Sequence, residues 1–131
     1  MPDVVTCVIK HDEKILLLKR SDKVSTYKNK WACVSGYVER GEDALKRAFR
    51  EIEEEIQLSK EEIQLLKKGE PIIFFDEKEG QTWRIFPFLF SSNTKKIKPD
   101  WEHTEYAWVD IEEIEKYDTV PKLKEAVYSL F

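Results

Sequence analysis

No apolar run in this chain of 131 residues approaches the roughly 18 residues needed to cross a bilayer. The N-terminus lacks the basic, apolar and small-residue succession of a secretory signal, so the expected location is the cytoplasm. Cysteine is scarce: Cys7 and Cys33 both fall in apolar, strand-like runs and read as buried, reduced thiols rather than as a disulfide framework. An excess of positive charge is also missing. Twenty-two Lys and Arg stand against 26 Asp and Glu, a net charge of −4, which argues against general nucleic-acid affinity and against a membrane surface as partner. No repeat, low-complexity tract or linker divides the sequence, so residues 1–131 are read as a single domain. Hydrophobic residues make up 41% of the chain, enough to bury one domain's core, and charged residues 37%.

The most informative stretch is residues 36–58, GYVERGEDALKRAFREIEEEIQL. Leu45, Ala48, Phe49, Ile52 and Ile56 recur at helical spacing and predict a helix over residues 43–56 with one apolar stripe. Glu51, Glu54 and Glu55 stand at i, i+3 and i+4, which places them together on another side of that helix, within about 100° of its circumference. Three crowded carboxylates resist shared ionisation unless a cation neutralises them, and hard oxygen ligands suit Mg²⁺ or Mn²⁺. Arg50, four residues before Glu54, can pair with a neighbouring carboxylate. A solvated acidic face is the plain alternative for REIEEE by itself; what weighs against it is Gly36 and Glu42 at fixed upstream spacing.

With those residues in place, the segment resembles the Nudix box, G-x5-E-x7-R-E-U-x-E-E-x-G-U, where U is a bulky aliphatic residue. Gly36, Glu42, Arg50, Glu51, Ile52, Glu54, Glu55 and Leu58 fit it; Gln57 stands where the family has the glycine that ends the helix in a left-handed conformation. Flanking segments fit more loosely: residues 15–20 (ILLLKR), residues 31–36 (WACVSG) and residues 102–109 (EHTEYAWV), which resemble the family's E-x5-W closing element. The resemblance implies an α+β Nudix fold, an α/β/α sandwich in which a mixed sheet lies between helices and the box forms loop, helix and loop. It implies Glu51, Glu54 and Glu55 as metal ligands, with the carbonyl of Ser35 as a further one. Arg50 then orients Glu51 or Glu54, and Glu42 stabilises the loop or reaches the metal through water. The general base is a box glutamate, Glu102 or Glu105. Gly36 lets the backbone approach metal and phosphate closely.

Arg20 or Lys19, together with Arg84, are the expected phosphate contacts, and plain surface charge is the alternative for each. Tyr37, Trp31, Trp83, Phe74 and Phe75 are the candidates for stacking on a nucleobase, although aromatics at strand spacing usually belong to a core. His103 reads as a surface residue or a contact to phosphate or base, and His11 as part of a turn. The expected activity is divalent-metal-dependent pyrophosphohydrolysis of a nucleotide, first a nucleoside or deoxynucleoside triphosphate to its monophosphate and pyrophosphate. A sugar nucleotide, ADP-ribose or a dinucleoside polyphosphate comes second. A non-catalytic nucleotide- or RNA-binding regulator of the same fold is the reading from another class, and the retained glutamates argue against it. A homodimer through the aromatic strand or the C-terminal helix is left open.

For the remaining elements, the pattern predicts strands at residues 4–10, 15–19, 31–34, 63–67, 72–76, 82–90 and 101–109. It also predicts a short helix capped by Asp110 and a C-terminal helix with Pro121 in its first turn. Pro87 marks the long aromatic strand as an edge or a bulged one.

Overall fold

The run Ile15, Leu16, Leu17, Leu18 has no polar face, and in the computed structural model, which describes residues 1–131, all four side chains are buried. Alternation along the strand sends Leu16 and Leu18 to one side and Ile15 and Leu17 to the other, so the sheet must be covered on both faces. It has eight strands: β1 (Asp3–His11), β2 (Lys14–Arg20), β3 (Trp31–Ala32), β4 (Val34–Val38), β5 (Ile63–Lys68), β6 (Ile72–Asp76), β7 (Gln81–Ser92) and β8 (His103–Val109). β1 lies at the centre, parallel to β7 along Asp3 to Lys10 and antiparallel to β4 along Asp3 to Cys7, and it begins a hairpin with β2. β2 continues the sheet to β8 and β3.

Helix α1 (Ala44–Ile56) covers one face. Its Ala48, Ile52 and Ile56 are fully buried against Val5, Cys7, Leu16 and Phe90, with Leu45 and Phe49 packed at the margin. The second face is closed by α2 (Leu123–Ser129) and the 3₁₀ turn Ile111–Lys116, through Leu123, Val127 and Ile114 against Val8, Leu17 and Leu89. The arrangement is the α/β/α sandwich with a mixed sheet. Because Ile52 is fully buried at the middle of the first core, Ile52→Ala should lower unfolding free energy by roughly 2–5 kcal/mol. Denaturant titration checks this, and a loss below about 1 kcal/mol would mean that the helix is not anchored there.

Both ends of α1 have a chemical cause. Asp43 caps the start, its carboxylate accepting from the Lys46 N–H at 3.1 Å. Gln57 ends it in the left-handed conformation, φ 59°, doing with a side chain what glycine does more cheaply. The loop that follows β7 then supplies the missing donors: the Lys98 and Asp100 N–H groups donate to the Ile56 and Glu55 carbonyls at 3.1 and 2.9 Å.

Three expectations are corrected. Strand 31–34 is broken at Cys33, and β4 runs on through Gly36, which therefore lies in a strand rather than in the loop. Strand β7 is internal rather than an edge; the expected bulge is found in its pairing with β5, between Leu65 and Lys67 and not at Pro87. Pro87 is accommodated because its carbonyl accepts from Gly69 N–H (2.8 Å) on the side where the neighbouring strand breaks between β5 and β6, so no ladder donor to β1 is lost. A side chain at Gly69 would strike Pro87, its Cβ falling 2.8 Å from Cγ. Finally, Pro121 precedes α2, whose cap is Lys122.

Candidate active site

Alternation along β4 divides the work between its faces. Val34 and Val38 pack toward α1, and Gly36 shares their side, directly under Glu51: a Cβ there would lie 2.6 Å from Glu51 Cγ. A side chain there would push the Glu51 carboxylate from this place, so glycine lets strand backbone and carboxylate meet. Ser35 and Tyr37 face the other way, onto the floor of a cleft of about 680 Å³. Neighbouring strands continue that floor with Val4 and Thr6, Ile85 and Trp83, and Phe74.

Glu51 and Glu54 enter the cleft from α1, and Glu102 enters from the loop before β8. Glu55 does not line it. It is 3% exposed, behind the wall, with Oε2 buried and lacking any partner. These acids nevertheless feel one another. Burial, and after it Glu54, pushes the Glu51 pKa up to about 7, with Arg47 pulling the other way. Burial first, then Glu102, Glu51 and Asp100, holds the Glu55 pKa well above the usual carboxylate range. Burial and Asp100 raise that of Glu102, against the charge of Arg20.

The other predicted residues separate clearly. Arg50 is exposed and donates to Glu54 Oε1 at 2.9 Å. Glu42 accepts from the Glu39 N–H (3.0 Å) and from Arg47 Nε (2.7 Å), which fastens the loop between β4 and α1. Arg20 reaches the cleft, braced by Nε to the Thr26 carbonyl at 3.0 Å. Lys19 turns out to Glu105 at 3.4 Å, and neither lines the cleft. Arg84 is not brought to the site: alternation turns it to the opposite face from Trp83 and Ile85, where it forms a two-pronged ion pair with Asp3 at 2.8 and 2.9 Å. Among the aromatics, Tyr37 and Trp83 meet at 5.7 Å between centroids in the cleft and Phe74 joins its lining. Trp31 packs on Tyr117 in the second core, and Phe75 points out to solvent. His103, read as a surface residue or a contact to phosphate or base, is 8% exposed and does not line the cleft.

Sequence reasoning missed Arg47. Only 6% exposed, it contacts Glu42, reaches Glu51 at 3.6 Å and Glu39 at 3.5 Å, and leaves Nη2 without a hydrogen bond. Its i, i+4 relation to Glu51 was the available signal, but many surface pairs share it. Tyr27 was missed as well; its hydroxyl donates to buried Asp76, closing loop 21–30 over the cleft floor. No sequence spacing links those two residues.

Raised carboxylate pKa values make a stability prediction for the metal-free protein. Between pH 4.5 and 7 native Glu51 holds a proton that the unfolded chain has released, so stability falls as pH rises through that window. The difference, 7 − 4.5 = 2.5 units, sets an upper limit of about 3 kcal/mol. Glu55 and Glu102 act in the same direction. His103, whose pKa burial lowers, opposes them just below 6.5. In chelator, the melting temperature should be higher near pH 5.5 than near pH 8, and Glu51→Gln should flatten the slope. A melting temperature that rises steadily over this range would contradict the placement of these acids.

The residues present fit a hard divalent cation. The donors are carboxylate oxygens on one helix wall, the orphaned Oε2 of Glu55 is a buried acceptor in want of a partner, and Gly36 leaves room beside Glu51. No three acidic, His or Cys side chains form a preset cage, so the carboxylates must draw together around any ion they hold.

A strand–loop–helix unit thus carries the acids of a small α+β fold to an open cleft. A family model, the NUDIX domain, matches residues 1–131. The chain is 32% identical to an RNA pyrophosphohydrolase of Pelagibacter ubique (strain HTCC1062), covering 92% of this chain and 82% of that protein. It is 30% identical to the nucleoside triphosphatase NudI of Escherichia coli O139:H28 (strain E24377A / ETEC), over 88% and 86% of the two chains. The crystal structure of a C. elegans Ap4A hydrolase binary complex superposes with a TM-score of 0.80 at 20% identity, covering 98% of this chain and 94% of that one, a likeness of fold. The chain belongs to the Nudix family and is a pyrophosphohydrolase of the Nudix type. Its enzymes generally need a divalent metal. No helix is long and apolar enough to cross a membrane.

Proposed function

We propose that the protein hydrolyses a nucleoside 5′-triphosphate to the monophosphate and pyrophosphate, with Mg²⁺ or Mn²⁺, in the cytoplasm. The observation that carries this reading is the meeting of Glu51, Glu54 and Glu102 with Arg20 at one cleft whose floor bears Tyr37, Trp83 and Phe74. Acid to hold a cation, a guanidinium for phosphate and aromatic faces for a base are the three chemistries of a nucleotide. Glu51, Glu54, Glu55 and the Ser35 carbonyl would hold the metal, which when bound neutralises phosphoryl oxygens and lowers the pKa of water.

The protein's own groups have separable tasks. Arg20 draws the phosphate chain in, and Gly36 and Tyr37 line its path. Arg50 fixes Glu54 in place, and Glu42 keeps the loop closed through Arg47. Glu51 and Glu54 are assigned to the metal, Glu54 with one oxygen on Arg50, whereas Glu102 faces the cleft with only the charge of Arg20 favouring its ionised form. Glu102 therefore takes the proton as water oxygen bonds to phosphorus. The bond from that phosphorus to the bridging oxygen breaks, and pyrophosphate leaves. Arg84 has no part in this site.

A second substrate with the same reacting group is RNA bearing a 5′-triphosphate. The relative at 32% identity, named an RNA pyrophosphohydrolase, favours it, as does the exposure of Tyr37 (60%) and Trp101 (63%) at the cleft.

The test is a panel of nucleoside triphosphates, 5′-triphosphorylated oligonucleotides, ADP-ribose, sugar nucleotides and dinucleoside polyphosphates, read by mass in ¹⁸O-water with Mg²⁺ or Mn²⁺. Monophosphate and pyrophosphate, lost with chelator, are expected, and the labelled product identifies the phosphorus attacked. Cleavage of ADP-ribose or dinucleoside polyphosphates alone would overturn the substrate assignment. Tight nucleotide binding without turnover would overturn the enzyme.

A further inference from the structure

The loop between β7 and β8 does more than present Glu102. Its Asp100 is a hub. The Asp100 N–H donates to the Glu55 carbonyl at the end of α1 (2.9 Å), and its Oδ1 accepts from the Glu102 N–H at 3.1 Å. The same Oδ1 lies 3.2 Å from His103 Nδ1, and the His103 N–H donates to the Asp100 carbonyl, also at 3.2 Å. The other ring nitrogen, Nε2, lies 3.6 Å from Glu55 Oε1, within ion-pair range though longer than a formed hydrogen bond. The His103 and Glu55 side chains are 2% and 4% exposed, so this contact is made out of water.

Asp100, His103 and Glu55 thus form a line from loop to helix, and its end is asymmetric. Oε1 of Glu55 faces the imidazole, while Oε2 is buried and forms no hydrogen bond, the Ser35 N–H being near enough to the carboxylate to favour its charged form. A carboxylate with the ring against one oxygen and no hydrogen bond at the other is biased in orientation, with its free oxygen turned away from the ring. An imidazole held through Nδ1 by a carboxylate is itself restricted to one ring orientation.

We propose that His103, oriented by Asp100, is the positioning residue for Glu55: its ring stands against Oε1 so that Oε2 is presented to the metal. The proposal rests on the reading of Glu55 as a metal ligand. The same line couples the helix ligand to the loop that carries Glu102, because Asp100 grips the main chain of both.

Mn²⁺ affinity, measured without substrate by the paramagnetic resonance of free Mn²⁺, tests this together with melting temperature. His103→Ala should weaken Mn²⁺ binding about 10- to 100-fold, the usual consequence of losing such a support. Two variants, each keeping the place of one ring nitrogen, separate positioning from packing. His103→Gln keeps a polar atom near the place of Nε2, toward Glu55. His103→Asn keeps one near Nδ1, toward Asp100. Positioning of Glu55 requires that Gln restore Mn²⁺ affinity better than Asn; a role confined to the loop would give the opposite order and overturn the proposal. Unchanged affinity in His103→Ala would overturn it too. In a Glu55→Gln background His103→Ala should have no further effect, and a full additional loss there would mean that His103 acts by another route. Should His103→Ala fail to fold, the Gln and Asn comparison still decides. If Glu55→Gln alone binds Mn²⁺ as the native protein does, the ligand assignment itself fails.

Discussion

Glu54→Gln is expected to lower kcat by about 10²–10⁴, the range that corresponds to several kcal/mol of transition-state stabilisation by a bound metal. The substitution removes one ligand charge and keeps nearly the same shape. Glu54 stands in the cleft wall, half exposed, with one oxygen on Arg50 and the other free. Folding should hardly notice the change. The Arg50–Glu54 pair is a solvent-exposed i, i+4 bridge, which water and salt screen. Its loss is offset because Glu54 is among the charges that push Glu51 toward protonation. A large loss of rate with an unmoved unfolding curve is therefore the expected pattern, measured as turnover and denaturant midpoint on the same preparation. Normal turnover would remove Glu54 from the metal site.

Glu102→Gln is expected to reduce kcat/KM by about 10²–10⁴ if this carboxylate accepts the proton from water. The amide retains the size and polarity of the side chain but cannot act as a base near neutral pH. A pH profile distinguishes this from a positional effect. Burial and Asp100 raise the Glu102 pKa above its ordinary 4.5, and a base must be ionised to work. An acid limb of kcat/KM should then be present in the native enzyme and disappear in Glu102→Gln. A loss smaller than about tenfold with the limb intact would return the base to Glu51 or another box glutamate.

The two predictions rest on residues of different legibility. Glu54 could be placed from sequence because a helix fixes the directions of its side chains by spacing alone: once residues 43–56 are helical, the acids and the apolar stripe fall on separate sides. Glu102 could be nominated only by resemblance, since a loop has no such periodicity. Its arrival opposite Glu51 depends on main-chain bonds from Lys98 and Asp100 to the end of α1 and from Ser21 to Glu102. The strands were legible for the same reason as the helix. Alternation and unbroken apolar runs gave seven of them nearly in place, the break at Cys33 aside.

What alternation could not give was the order of strands in the sheet, and misreadings followed from that. Pro87 looks like an edge residue until β5 and β6 are seen to part beside it. Arg84 looks like a phosphate contact until the pairing of β1 with β7 brings Asp3 alongside. Arg47 and His103 look like ordinary surface groups until loop and sheet close over them.

The sequence by itself therefore determined the family, through the fixed spacing within residues 36–58, and also the acidic helix with its anchored face and the alternating strands, which depend on neighbours within about one helical turn or one pleat. Tertiary structure alone decided which cations reach the cleft, which carboxylate is buried with a free oxygen, and which histidine supports it. Those outcomes depend on contacts between residues some 40 to 80 positions apart, such as Asp100 with Glu55 and Arg84 with Asp3, and on the low dielectric their packing creates.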